Sequence, residues 1–219
     1  MIETKNLNFY YKDGTLGVSD VNLNIGEGEK VFITGESGSG KSTFLKLILG
    51  IVKPSEGEFT VLGRDMNKLS KGELRLLRTE IGPVFQEFRL IKGRTALENV
   101  AISLRFTDVK KKDIYTRSKD FLTRVGLEEK MKTLVDNLSY GQLQRVAVAR
   151  ALARNPKLLI ADEPTGNLDH DNAINTIKLL TDLKEDHQTV IITTHQTGLI
   201  PTDGDIRRLT VKRGQIEDV

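Results

Sequence analysis

The chain has no cysteine among its 219 residues, which excludes disulfides and thiolate zinc sites and is compatible with a reducing cytosol. No apolar run reaches the length of about 18 residues that a membrane-spanning helix needs. A basic-then-apolar leader is also missing at the N-terminus, so no secretory signal is expected. Nor is there a large excess of one charge: 33 basic and 30 acidic residues leave +3, a weak argument for nucleic acid as a partner. The most concentrated basic stretch, Lys110-Lys111-Lys112, reads as a solvated helix start. Internal repeats and low-complexity tracts are absent too. What remains, 38% hydrophobic and 29% charged residues, suits a soluble globular protein with one large core or a core plus a small subdomain.

One octapeptide carries chemistry. Gly35 to Ser42 reads G-E-S-G-S-G-K-S and meets G-x-x-x-x-G-K-[ST] at every fixed position. Gly35, Gly38 and Gly40 permit a tight turn in which the N–H groups of the loop, those of Glu36, Ser37 and Ser39 among them, face phosphate oxygens. Lys41 supplies a point charge for β- and γ-phosphates, and Ser42 offers a hydroxyl to Mg2+. A helix starting near Lys41, with Thr43 in its first turn, directs its positive dipole end at the same phosphates. The flanks agree, because Val31-Phe32-Ile33 is a buried-strand run and Thr43 to Leu49 is apolar enough for a buried helix. The pattern implies a nucleoside triphosphate ligand.

The parts follow a readable order. Residues 1 to 30 read as β-structure, since Val21, Leu23 and Ile25 alternate with polar residues and end at Gly26-Glu27-Gly28. Glu58 to Leu62 is a second β-rich stretch. From Leu69 to Lys132 the pattern turns mainly helical and charged, which suggests an insertion. Leu158 to Ala161 and Val190 to Ile192 are continuous apolar runs of the kind a parallel sheet buries on both faces. Between them Ile174, Ile177, Leu180 and Leu183 recur at helical spacing and are expected in the core. Arg207 to Glu217 resembles a hairpin turning at Lys212-Arg213-Gly214.

Leu158 to Glu163, L-L-I-A-D-E, is an apolar strand ending in two carboxylates, where Asp162 can organise Mg2+ and Glu163 can polarise a water. These two open the string D-E-P-T-G-N-L-D. Upstream, Leu138 to Arg145 reads L-S-Y-G-Q-L-Q-R, close to L-S-G-G-Q-x-Q-R. With Gln86 after one apolar strand and His195 after another, the chain resembles the ATP-binding cassette ATPases, the motor subunits of ABC transporters, along essentially its whole length.

The resemblance implies an α/β fold: a P-loop NTPase core with a mostly parallel sheet, an N-terminal antiparallel β subdomain and an inserted helical subdomain. It makes 1–219 a single ABC ATPase domain, with 1–86 and 156–219 as nucleotide-binding core and β subdomain and about 87–155 as the helical subdomain. ATP and Mg2+ are the implied ligands. Glu163, His195, Gln86 and Lys41 take catalytic positions, and Ser42, Gln86 and Asp162 those of the metal. Tyr11 matches the aromatic that stacks on adenine, with Tyr10 as the competing candidate. Ser139, Gly141 and Gln142 match the signature that closes on ATP held by a second copy, which implies a homodimer. Asn167-Leu168-Asp169 resembles the loop that crosses between the two subunits. Two positions depart from the pattern: Tyr140 replaces the first glycine of the usual pair, and Gln196 replaces an aspartate after the histidine.

Within the family, A-D-E-P-T-G-N-L-D is similar to members that move force rather than pass solute. Ile81-Gly82, Arg89-Leu90-Ile91, Arg94-Thr95 and Glu98 to Ile102 are most like the cell-division type. A lipoprotein-releasing or macrolide-export type and a slowly turning signalling scaffold are the alternatives. The implied partner is an integral membrane subunit, FtsX-like or a related permease, with no nucleic acid. The implied place is peripheral, on the cytoplasmic face of the inner membrane. The segment Gln86 to Leu104 is expected to expose Phe88, Leu90 and Ile91 as that partner's seat.

Overall fold

A computed structural model describes residues 1–202 and 204–219. The first strands are β1 (Ile2–Tyr10), β2 (Leu16–Ile25) and β3 (Lys30–Thr34), followed by helix α1 (Lys41–Ile48). Next come β4 (Glu56–Val61), β5 (Arg64–Asp65), α2 (Lys71–Thr79) and β6 (Ile81–Val84). Helices α3 (Ala96–Leu104), α4 (Ile114–Arg124) and α5 (Tyr140–Leu152) then run in succession. The chain continues through β7 (Leu158–Asp162), α6 (His170–Asp182), β8 (Thr189–Thr194), β9 (Ile206–Lys212) and β10 (Gln215–Asp218). It divides into two compact units, Met1–Arg78 with Asp186–Val219, and Thr79–Glu185.

In the first unit an antiparallel sheet runs in the order β2-β1-β4-β5. Its alternation is that of a half-buried sheet: Val21, Leu23 and Ile25 of β2 are buried while Asn22 and Asn24 are exposed. A second group of strands runs β10-β9-β3-β8, with β3 parallel to both β8 and β9. Val31, Phe32 and Ile33 are all buried, as a strand covered on both faces requires. The closing hairpin of β9 and β10 turns at Arg213 and Gly214, with φ 48° and 83°. Positive φ at both turn residues is the two-residue geometry that matches strand twist. Arg207 fastens the hairpin, donating from Nε and Nη2 to the Asp218 carboxylate at 2.7 and 2.8 Å. The guanidinium holds the Asp218 carboxyl below the usual carboxylate range.

The second unit pairs β6 with β7 in parallel, aligning Val84 with Ala161. Helix α3 starts with a capping box: Thr95 Oγ1 accepts from the Glu98 N–H and Glu98 Oε2 accepts from the Thr95 N–H. Asn99, almost wholly buried, pins the preceding loop by accepting from the Ile91 N–H at 2.7 Å and donating to the Ile91 carbonyl at 3.2 Å. On α6 the buried stripe is Ala173, Thr176, Ile177, Leu180 and Thr181. Ile174 and Leu183 are only half-buried, so the expected stripe is corrected. Ile177 and Leu180 are buried as expected, and the smaller Ala173, Thr176 and Thr181 complete the stripe in place of Ile174 and Leu183.

Phe88 also corrects an expectation. It is 8% exposed, and its ring packs edge to face on Tyr140. Leu90 is half-buried, and of the three residues only Ile91, at 43%, presents itself to solvent.

Candidate active site

The phosphate loop is wedged between backbone of its own unit, which is why its glycines are needed. A Cβ on Gly35, at φ 148°, would lie 2.5 Å from the Val211 carbonyl oxygen of β9. A Cβ on Gly40, at φ 119°, would collide with the Gly17 carbonyl oxygen of β2. Gly38, at φ 78°, is different: nothing lies within 4 Å of a Cβ there, so the tip of the loop is open. The hairpin turn braces the loop from behind, because the Gly214 N–H donates to the Ser39 carbonyl and its own carbonyl accepts from the Ser19 N–H, both at 2.9 Å.

Lys41 opens α1 and is 5% exposed. Its Nζ donates to the carbonyls of Gly35 at 2.7 Å and Glu36 at 2.9 Å, so the ammonium is held across the mouth of the loop. The helix has Gly40 as N-cap, which has no side chain to satisfy the first N–H groups. That terminus is suited to an anion. Thr43, in the first turn, shares a 2.8 Å hydrogen bond with the Tyr11 hydroxyl. The Tyr11 ring also meets Phe9 edge to face at 4.9 Å, so the aromatic is fixed beside the loop. Tyr10, by contrast, is 46% exposed and joins neither contact. His195 follows β8 and is exposed, while the Gln196 N–H donates to Thr194 Oγ1 at 3.0 Å. That bond orders the turn at the position where the family's aspartate is missing.

The acidic motif belongs to the second unit. Asp162 ends β7, and Glu163 follows with φ 45°. A bulky residue held in the left-handed region costs about 1 to 3 kcal/mol, and such strain gathers at functional sites. The Glu163 carbonyl accepts from the Gly166 N–H at 3.2 Å. Gln86 Nε2 stands 3.9 Å from where a Cβ on Gly166 would be, so β6 and β7 deliver Gln86 and Glu163 to one turn.

The signature residues head α5. Ser139 is the N-cap, its side chain accepting from the Gln142 N–H and the Gln142 side chain accepting from the Ser139 N–H. Tyr140 is then the first helical residue, with ordinary right-handed backbone, so this position makes no demand for glycine. Gly141 does face a tight approach, since a Cβ would lie 3.3 Å from Asn172 Oδ1. Asp169 caps α6, accepting from the Asn172 N–H, and that bond lowers its pKa.

Arg150 is a contributor that sequence reading passed over. Its Nη1 and Nη2 donate to the carbonyls of Arg89 and Phe88, each at 2.6 Å. Those two residues stand consecutively in the left-handed region, at φ 50° and 55°. Local contacts help, since the Phe88 N–H donates to the Phe85 carbonyl at 3.0 Å and the Arg89 guanidinium lies over the Phe85 ring, but the bonds from Arg150 come from a distant helix that no local pattern announces.

A family model described as ABC transporter matches residues 18–166. Cell division ATP-binding protein FtsE of Haemophilus influenzae is 40% identical over 201 residues, 91% of this chain and 92% of that protein. An uncharacterized ABC transporter ATP-binding protein of Methanocaldococcus jannaschii is 40% identical over 223 residues, 100% of this chain and 99% of that one. The dimeric post-hydrolysis structure of an ATP-binding cassette bound to ADP and Pi superposes with TM-score 0.88 at 39% identity, over 99% of this chain and 97% of that chain. The chain belongs to the ABC transporter family. It is an ATP-binding ATPase subunit, with the mixed α/β fold of the ABC cassette.

Proposed function

We propose that the chain acts as a homodimer holding two ATP and drives an integral membrane subunit of the cell-division type. The observation that carries the nucleotide-binding part of the reading is Lys41, buried and tied across the phosphate loop; the strained Glu163 at the end of β7 separately supports the hydrolytic part. The names of relatives at 37 to 40% identity support the division role. The dimeric state of the ADP- and Pi-bound neighbour supports the assembly.

In this reading Lys41 and the loop N–H groups bind the β- and γ-phosphates, and Tyr11 stacks on adenine. Glu163 orients and polarises the attacking water, and His195 contacts the γ-phosphate. Ser139, Gly141 and Gln142 serve the ATP of the second copy. Residues 1–86 with 156–219 are read as the nucleotide-binding core and 87–155 as the helical subdomain. The Ser42 hydroxyl, the Asp162 carboxylate and the Gln86 amide oxygen are hard donors of the kind Mg2+ accepts, one carboxylate being enough beside phosphates. When bound, Mg2+ would offset charge on the transferring phosphoryl group. Two adenine-side outcomes are expected. Tyr11→Ala raises the ATP dissociation constant several-fold, as the loss of an aromatic contact of about 1 kcal/mol requires, and Tyr10→Ala leaves it unchanged. Calorimetry with ATP checks both, and the reverse result would shift the assignment to Tyr10.

No helix among the described residues is long and apolar enough to cross a membrane, so we assign a peripheral place at the inner membrane, through the partner. The partner's seat is read as a groove of about 230 Å³ lined by Ile91, Ala101, Ile102 and Tyr115 with Arg94, Glu98 and Arg105 at its sides. Ile91→Asp is expected to abolish co-purification with a co-expressed division-type membrane subunit while ATP binding persists. Phe88→Ala instead lowers folding stability by about 3 kcal/mol in urea unfolding, as a cavity beside Tyr140 demands. Retained complex in Ile91→Asp removes the seat. ATPase activity with and without that subunit tests the whole reading: stimulation supports it, and turnover indifferent to the subunit points to a different permease.

A further inference from the structure

Tyr140 stands at the head of the signature helix, and its side chain is engaged at both ends. The ring meets the Phe88 ring edge to face, centroids 4.5 Å apart at 63°. The hydroxyl accepts from Asn167 Nδ2 at 2.6 Å. Phe88 follows Gln86 closely in sequence, and Asn167 follows Glu163. Phe88 cannot drift away from this contact, because Arg150 of the same helix donates to its carbonyl and to that of Arg89. Arg150 is half-buried, and its desolvation, with Arg154 nearby, pushes its pKa down to about 10. Helix α5 therefore grips the segment after Gln86 at the Phe88 ring and at the Phe88 and Arg89 carbonyls.

We propose that Tyr140 is a positioning residue that locks three segments of the second unit into one body: the segment after Gln86, the signature at Ser139, and the loop Asn167 to Asp169. The inference rests on the dimeric ATPase reading above. Glycine, which the family pattern places here, could make neither contact. A shift imposed on the Gln86 segment is thus delivered to the signature and to the Asn167 loop together. The ring and the hydroxyl have separable duties, since Phe88 packing depends on the ring alone and the Asn167 bond on the hydroxyl alone.

The test uses the full chain carrying Glu163→Gln, in which ATP-bound dimers are expected to accumulate. Adding Tyr140→Phe is expected to raise the ATP concentration for half-maximal dimerisation roughly five-fold, the worth of one hydrogen bond. The ATP affinity of the monomer stays the same, and the melting temperature falls by no more than about 4 °C, as the loss of one intrachain hydrogen bond allows. Tyr140→Phe combined with Asn167→Ala is expected to do no more than Asn167→Ala alone, because both remove the same bond. Tyr140→Gly lowers the melting temperature as well, since Phe88 loses its neighbour. Hydrogen exchange on the nucleotide-free chain gives an independent arm, in which Tyr140→Phe accelerates amides 165–169 and leaves the phosphate loop alone. Unchanged exchange at 165–169, or multiplying effects in the double variant, overturns the proposal. If the Glu163→Gln parent fails to dimerise with ATP, the dimer reading falls instead, and the exchange arm still decides the role of Tyr140.

Discussion

Glu163→Gln is expected to hold ATP as tightly as the parent while hydrolysing it at least a hundred-fold more slowly. Glutamine keeps the shape of the side chain and lacks the charge that polarises water, and a general base contributes roughly a hundred- to ten-thousand-fold. The substitution is conservative for the backbone, because glutamine and glutamate bear equally on the left-handed φ of 45° at this position. Slowed turnover with intact binding lets ATP-bound dimers build up, which gel filtration reads directly. Single-turnover hydrolysis in the assembled complex is the deciding measurement. A rate like that of the parent would remove Glu163 from the catalytic position and leave its strain without a chemical purpose.

Lys41→Ala should act one step earlier, on binding. The side chain is buried and donates to the carbonyls of Gly35 and Glu36, so its loss removes two ties that hold the loop and, in the proposed role, the charge that pairs with phosphate. A hydrogen bond to a charged group is worth about 1.5 to 3 kcal/mol, which corresponds to a ten- to hundred-fold weaker ATP affinity. Calorimetric titration gives the answer, and equal affinity in variant and parent would sink the assignment. Magnesium-free titration separates the two residues, because Lys41→Ala weakens binding there too whereas Glu163→Gln does not.

Much of this architecture could be read from side-chain order alone. Val31 to Ile33 announced a strand covered on both faces, and the eight residues from Gly35 announced the turn that follows it. The two capping boxes, Ser139 with Gln142 and Thr95 with Glu98, were not read from the sequence, although each has the three-residue spacing of that motif. Three things were hidden, each for a different reason. The paired left-handed residues Phe88 and Arg89 depend on Arg150, and no local pattern contains a bond made across 61 or 62 positions. Half of the α6 stripe is hidden: Ile177 and Leu180 show at helical spacing, but Ala173, Thr176 and Thr181 pack without being strongly hydrophobic. Tyr140 looked like a fault in the signature until the helix boundary showed that its backbone is ordinary. Exposure in this segment is only partly legible, since the sequence gives no ground to distinguish Phe88, Leu90 and Ile91, of which only Ile91 is exposed.

The brace behind the phosphate loop has a consequence for the order in which the protein can mature. Gly35 and Ser39 leave the ribosome long before Val211 and Gly214, against which they pack. Until β9 and the hairpin turn arrive, the loop lacks the backbone that fixes its rear. Domains fold as units during synthesis, from the N-terminal side first. Here the loop is completed only by β9 and the hairpin turn, so ATP, as a ligand of the finished loop, stabilises the chain only once residue 214 has joined it.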